Sequence, residues 1–338
     1  MAVPLRYNIE GKTDVGLVRS GNEDYLHLDK TNHVFAVCDG MGGHQAGEVA
    51  SMTASLTLQI LHTSFQQELL HDKRLQIGRT LPPSGDLLLR SIRLANRNIY
   101  NKALVDTTLS GMGTTIVAVA LYGDMMSVAH VGDSRAYRLD QRALVPLTAD
   151  HSWIHEVQES QNLSREEAES VVGKNVITRA LGVRDTVEVD YRLIRVRAGD
   201  IYVMCSDGLC GFADDDEIFD VANKARSDLK TMADNLVQMA NDRGGSDNVT
   251  VIAFQIEEAP AGDLPEVDVF TLPAETTEEL AAEDEWVEKI AQAEEEFTPT
   301  DDVEKSAESG GNKLFLALIF IAFVIVAFAI VYFSDFHK

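Results

Sequence analysis

Val34-Phe35-Ala36-Val37-Cys38-Asp39-Gly40-Met41-Gly42-Gly43-His44-Gln45-Ala46-Gly47-Glu48 is the stretch on which the fold of this chain turns. An apolar run of strand length, rich in β-formers, ends abruptly in an Asp-Gly pair. Glycines at 40, 42 and 43 then permit a tight turn before a helical pattern begins. A carboxylate is thereby delivered to a strand end, held by a sheet and exposed by a loop. Taken singly, Asp-Gly is ordinary turn chemistry and implies no function. Its recurrence along the chain carries the weight.

Upstream, residues 5–12 read as an edge strand, followed by a loop that carries Arg19 and delivers Asp24 to the short run Tyr25–Leu28. Downstream, Val49, Met52, Leu56 and Ile60 recur at helical spacing, and Leu88, Ile92, Ala95, Ile99 and Ala103 do so again. Residues 71–86, with Pro82-Pro83 between these two patterns, read as a loop. Gly113–Leu121 and Met125–Val131 read as buried strands joined by a Gly123-Asp124 turn, and the second ends in Gly132-Asp133. Arg135–Leu139 continues as a short strand, while residues 146–185 are polar and helix-prone with a helix-start signature at Ser164. Val187–Val196 reads as a half-buried strand, and Ile201–Ser206 ends in Asp207-Gly208. A helix near 229–242 leads through Gly244-Gly245-Ser246-Asp247 into the strand Val249–Ile256.

Asp39, Asp133 and Asp207 thus terminate strands, and Asp24 and Asp247 introduce them. In an antiparallel arrangement, the ends and starts of neighbouring strands share a rim. Five carboxylates on one rim stay ionised only beside cations; otherwise their pKa values rise. No clustered His or Cys suits zinc, and an all-oxygen donor set favours Mg²⁺ or Mn²⁺. Two such ions would generate a nucleophile from water at neutral pH. Arg19, in the loop of Asp24, reads as a bidentate holder of a phosphate dianion.

A length of 338 residues allows one large domain or two smaller ones. The formal net charge of −25 argues against nucleic acid or an anionic lipid surface as the main partner. Residues 258–312 hold 18 Asp and Glu against two Lys and read as a disordered acidic linker. Within it, Leu280, Trp286, Val287 and Ile290 allow a transient amphipathic helix, open to a partner or simply solvated. Three cysteines without CxxC spacing suggest no disulfide framework and fit a reducing compartment. The first residues carry no signal-peptide pattern. Leu314–Phe333 is an unbroken apolar run of 20 residues, the length of a bilayer-spanning helix. The expected layout is a catalytic domain at 5–257, the linker at 258–312 and a transmembrane helix at 313–334. The helix would be a single-pass C-terminal anchor, leaving the catalytic domain in the cytoplasm.

The segments Arg19-Ser20-Gly21-Asn22-Glu23-Asp24, Cys38–His44, Ser110–Thr115, His130–Tyr137, Leu147–Ser152, Ile177–Gly182, Cys205–Leu209 and Ser246–Thr250 strongly resemble the type 2C metal-dependent protein phosphatases (the PPM family) in their bacterial form. The resemblance spans about residues 7–256 with the motifs in family order. It implies an α+β fold with a central antiparallel β-sandwich flanked by helices, and hydrolysis of phosphoserine and phosphothreonine in proteins. It implies that Asp39, Asp207 and Asp247 are ligands of a binuclear Mn²⁺ or Mg²⁺ centre, with Asp39 bridging and Gly40 offering its carbonyl. Asp133, with Asp207, matches a third, weaker metal site. Asp24 matches an acid that orients water at the metals, and Arg19 the phosphate-binding arginine. Eukaryotic members place a His directly after the Asp-Gly; here Met41 stands there and the nearest histidine is His44, a candidate general acid or a mere helix-start residue. Residues 146–176 correspond to the flap of bacterial members, where substrate selection is expected. The implied partners are phosphorylated Ser/Thr proteins, a Ser/Thr kinase or its substrates, acted on by a monomeric catalytic domain. A catalytically inactive phosphoprotein-binding module is the competing reading, disfavoured because such a module does not need a complete set of acids.

Overall fold

In a computed structural model of the chain, the apolar run is strand β3 (Val34–Met41). The structure describes residues 4–43, 45–161, 167, 176–262 and 264–296. Along β3, Val34, Ala36 and Cys38 face a helical layer, while Phe35 and Val37 face a second sheet. Both faces are covered, which is why the run is continuously apolar instead of alternating with polar residues.

β3 lies in a seven-stranded sheet ordered β12 (Val267–Leu272), β9 (Val189–Arg195), β6 (Met125–Val131), β5 (Ile116–Tyr122), β3 and β2 (Asp24–Asp29), with β4 (Gly113–Thr114) paired to the end of β3. A five-stranded sheet runs β1 (Arg6–Asp14), β11 (Val249–Glu258), β10 (Ile201–Cys205), β7 (Arg135–Leu139) and β8 (Leu144–Pro146). Among the described residues, all the strand pairings are antiparallel. The sheets meet through Ile9, Phe35, Val117, Val128, Met204 and Phe254, with Tyr202 stacked on Phe254 at 5.0 Å. Helices α1 (Ala46–Thr63) and α3 (Pro83–Val105) cover the outer face of the larger sheet. The short α2 (Gln66–His71) lies between them in sequence. The smaller sheet is covered by α6 (Asp215–Lys224) and α7 (Leu229–Asp242). Two one-turn or short helices, α4 (Trp153–Gln161) and α5 (Asp207–Cys210), sit near strand ends. The expected sandwich flanked by helices is the architecture found.

Two expectations need correction. The stretch 71–86 is not loop throughout: a 3₁₀ turn forms at Lys73–Leu75, and α3 begins at Pro83. Proline suits a first helical turn, where its missing N–H has no intrahelical partner to lose. The larger correction concerns the acidic linker. Within 258–312, residues 267–272 form the edge strand β12 on β9, and Thr277–Glu296 form helix α8 against α1 and α3. Ala282, Trp286 and Ile290, spaced by four, are buried with Ile60, Leu61, Leu87 and Leu94. Trp286 meets the Phe65 ring edge-on at 5.9 Å and donates its indole N–H to Asp72 Oδ2 at 2.9 Å. Four of the surrounding acids are paired: Asp284 with Arg97 (2.6 Å), Glu294 with Lys102 (2.8 Å), and Glu275 and Glu279 with buried Arg93 (3.3 and 3.2 Å), while buried Glu283 keeps one oxygen without a partner. Composition counted charge along the segment, whereas the fold neutralises much of it with bases of α3. The rest of the linker beyond 296, the transmembrane helix expected at 313–334 and the helix start at Ser164 lie outside the described residues. Among the described residues, no helix is long and apolar enough to cross a membrane.

Trp286→Ala should destabilise the folded chain by about 3–5 kcal/mol, the cost of emptying a large aromatic site. Urea unfolding followed by far-UV circular dichroism measures it. A change below 1 kcal/mol would mean that α8 is not docked in solution.

Candidate active site

The strand registers bring the five aspartates to one end of the sandwich. Asp24 opposes Asp39 directly across β2 and β3. Cys205, two residues before Asp207, pairs with both Arg135 of β7 and Val251 of β11, while Asp14 pairs with Val249. Asp133 lies in the β6–β7 turn, beside the Ile116–Val131 pair that ends β5 and β6. Alternating strand direction therefore places three strand ends and two strand starts on one rim.

Close approach of backbone segments makes this rim. A Cβ on Gly40 would sit 2.1 Å from Gly47 O and 2.5 Å from Glu23 O, so only glycine lets β3, the start of α1 and the Arg19 loop converge. A Cβ on Gly208 would lie 1.8 Å from Asn248 O, which explains the second Asp-Gly in the same way. The Asp39 backbone is clamped from β4 and beyond: Thr115 N–H donates to Asp39 O at 2.8 Å, and Asp39 N–H donates to Thr115 Oγ1 at 3.2 Å. Asn248 holds the Arg19 loop, donating to Val15 O (3.0 Å) and Gly21 O (2.9 Å) and accepting from Glu23 N–H (2.7 Å).

The electrostatics are those of uncompensated negative charge. Burial first, then the Asp207 and Asp247 charges, push Asp24 up to about 7 against hydrogen bonds from Ser206 (2.7 Å) and Thr250. Burial and the other four aspartates raise Asp39 well above the carboxylate range. Burial and Asp247 raise Asp207, which shares a hydrogen bond with Asp39. Burial, Asp207 and Asp150 push Asp133 up to about 7, and its Oδ1 is buried without a hydrogen-bond partner. Arg19 is a cation at the rim, 2.9 Å from Asp247 and 3.6 Å from Glu23, with its side chain 46% exposed. Closely grouped carboxylate oxygens with too little countercharge form a donor set suited to hard divalent cations.

Sequence reasoning thus placed Arg19, Asp24, Asp39, Gly40, Asp133, Asp207 and Asp247 together, as found. His44 lies outside the described residues. Residues 162–166 and 168–175 of the flap region do so as well, while its first part forms α4. Reading the residues one by one missed Ser206, Thr115 and Asn248, which hold the acids in place. All three lie beside an aspartate or within a quoted motif, but a hydroxyl or amide shows no partner until the strands pair. Also missed was a second cluster, in which ligand atoms of His130, His151 and Asp190 lie within 4.8 Å of one another, a candidate metal site.

The family profile of protein phosphatase 2C matches residues 18–250. Among curated relatives, the serine/threonine phosphatase stp of Listeria welshimeri is 36% identical over 251 residues, covering 73% of this chain and 94% of its own. The structure of serine/threonine phosphatase Stp1 from Staphylococcus aureus superposes with a TM-score of 0.65 at 30% identity, covering 76% of this chain and 98% of that one. The catalytic domain of the serine/threonine phosphatase PstP, solved with two manganese ions, gives 0.64 at 30% identity over 75% of this chain and all of its own.

With the carboxylates this buried, Asp133→Asn should raise the stability of the metal-free protein at pH 8, because a charge is removed from a cluster of like charges. The sign follows from the raised pKa: the penalty is absent below about 4, grows as pH rises, and is full above about 7. Thermal melts in chelator at pH 8 and pH 5 check it. A variant less stable than the parent at both values would contradict it.

Proposed function

The chain belongs to the protein phosphatase 2C family of serine/threonine protein phosphatases, and on that premise we propose that it hydrolyses phosphoserine and phosphothreonine at a divalent-metal centre on the aspartate rim. The convergence of five acids with Arg19 at one sandwich edge carries this reading. Asp39, Asp207, Asp247 and the Gly40 carbonyl would hold two Mn²⁺ or Mg²⁺ ions, and Asp133 with Asp207 a third. When bound, the ions supply the missing countercharge, polarise phosphoryl oxygen and lower the pKa of water. Arg19 then turns its guanidinium from Asp247 to a phosphate dianion, a bidentate contact that fixes the substrate for in-line attack. Asp24, paired with Asp39 across β2 and β3, accepts from the Ser206 hydroxyl at 2.7 Å and would orient water at the ions. A phosphoprotein-binding module without turnover is not favoured, since binding alone has no use for so much buried charge.

The finer part of the proposal is location: the apolar run 314–333 anchors the enzyme to a membrane, where it reverses the action of a Ser/Thr kinase. The motifs supporting catalysis end at Thr250, so the anchor acts through effective concentration and leaves the chemistry untouched.

Asp39→Asn and Asp207→Asn should each abolish hydrolysis of p-nitrophenyl phosphate in Mn²⁺ while leaving a folded protein. Near-normal turnover in the Asp207→Asn enzyme would remove the metal assignment. Arg19→Ala should raise KM for a phosphopeptide more than it lowers kcat, since the dianion is present in ground and transition states alike. A defect confined to kcat would instead place the guanidinium on developing charge. Deleting residues 314–338 should move the enzyme from the membrane to the soluble fraction and leave kcat/KM on a soluble phosphopeptide within about two-fold. Equal partition of both forms, or loss of peptide activity, would rule out a passive anchor.

A further inference from the structure

Gly132, the residue before Asp133, is held at both backbone groups by one side chain and its own main chain. His151 N–H donates to Gly132 O at 2.9 Å, and Gly132 N–H donates to His151 Nδ1 at 3.1 Å. Gly132 has φ +110°, and a Cβ there would strike Thr115 at 2.6 Å, so this turn requires glycine. Because Nδ1 accepts from a backbone N–H, the proton of the neutral ring sits on Nε2, which faces Asp190 Oδ2 at 3.2 Å; Arg179 Nη1, 3.3 Å from the same nitrogen, donates to Asp190 Oδ1 instead. The ring is pinned by stacking on His130, with centroids 4.6 Å apart, and His130 Nε2 is bonded to Ala149 O at 2.7 Å. These hydrogen bonds occupy both nitrogens of His151 and Nε2 of His130, so a metal at His130, His151 and Asp190 would have to break the His151 contacts. The cluster is built as a bracket.

The far end of the bracket is the C-terminal segment. Asp190 Oδ1 accepts from Thr271 Oγ1 of β12 at 2.7 Å and from Arg179 at 3.1 Å. β12 lies beyond residue 250, where the family profile ends, and is the edge strand of the larger sheet. A continuous set of hydrogen bonds thus runs from the added strand to the turn that presents Asp133.

We propose that His151 is a positioning residue for Asp133, and that β12 braces it there through Thr271 and Asp190. The inference rests on the reading of Asp133 as an acid of the third, weaker metal position. His151 fixes the Gly132 peptide, the peptide fixes where the Asp133 carboxylate stands, and Thr271 keeps Asp190 oriented to hold the imidazole tautomer. Residues behind metal ligands typically set affinity in this manner.

The full chain, stripped of metal, is titrated with Mn²⁺ by calorimetry, and exchange of the Gly132 amide is followed by hydrogen–deuterium mass spectrometry in chelator. His151→Ala should weaken the weakest Mn²⁺ step by roughly ten-fold or more, leave the tighter steps in place, and speed Gly132 exchange. His151→Asn, whose carboxamide oxygen can replace Nδ1 as acceptor, should keep both closer to the parent. Thr271→Val, which removes only a hydroxyl, should weaken the same step by about three-fold. Should His151→Ala not fold, His151→Gln, which is too long to offer Gly132 the same acceptor, takes its place. An unchanged weak step in a folded His151→Ala or His151→Gln protein overturns the positioning role, and an unchanged step in Thr271→Val overturns the brace. Asp133→Ala serves as the separate control: if it keeps the weak step, the metal reading of Asp133 fails and not the bracket, which Gly132 exchange still reports.

Discussion

Mutual repulsion among buried carboxylates is the constraint on which the rest of this molecule depends. Asp24, Asp39, Asp133 and Asp207 all sit in surroundings that raise their pKa values, with burial the largest cause in each. A flexible loop cluster would relieve such strain by spreading apart. Here the acids are mounted on strand ends whose registers are fixed by two packed sheets, so the repulsion is retained in the fold. The site is therefore costly in stability when empty of cations and organised to receive them, a common trade between stability and activity.

The supports around the acids share one physical theme, which is the satisfaction of polar groups at the rim. Ser206 bonds Asp24, Thr115 and Asp39 exchange backbone and hydroxyl bonds, and Asn248 ties the Arg19 loop to the start of β11. Buried polar networks of this kind hold a unique geometry only when their members are paired. Asp133 Oδ1 and Glu23 Oε1, both buried without a hydrogen-bond partner, are exceptions at the rim.

The acidic C-terminal segment shows the same principle away from the site. Its carboxylates meet Arg93, Arg97 and Lys102 of α3, and its apolar stripe fills the gap beside Phe65 and Leu87. As an added edge strand, β12 also covers β9, whose open edge would otherwise present unpaired backbone groups. The segment is part of the folded body through Glu296.

What the chain determined by itself was whatever depends on near neighbours. Apolar runs closed by Asp-Gly define strand ends, helical spacing defines α1 and α3, and alternating direction then forces Asp24, Asp39, Asp133, Asp207 and Asp247 onto one rim. Those inferences held because period and turn chemistry act over a few residues. What only the tertiary structure decided was whatever depends on partners far apart in sequence. Arg97 lies 187 residues from Asp284, so a count of charges along the chain reads as disorder what the fold makes an interface. Gly40 is glycine because Gly47 O and Glu23 O close on it, and His151 shows its tautomer only once Gly132 and Asp190 stand on either side. Local patterns specify where a side chain can go; the charges, hydrogen bonds and free space it meets there come from segments that only folding brings near.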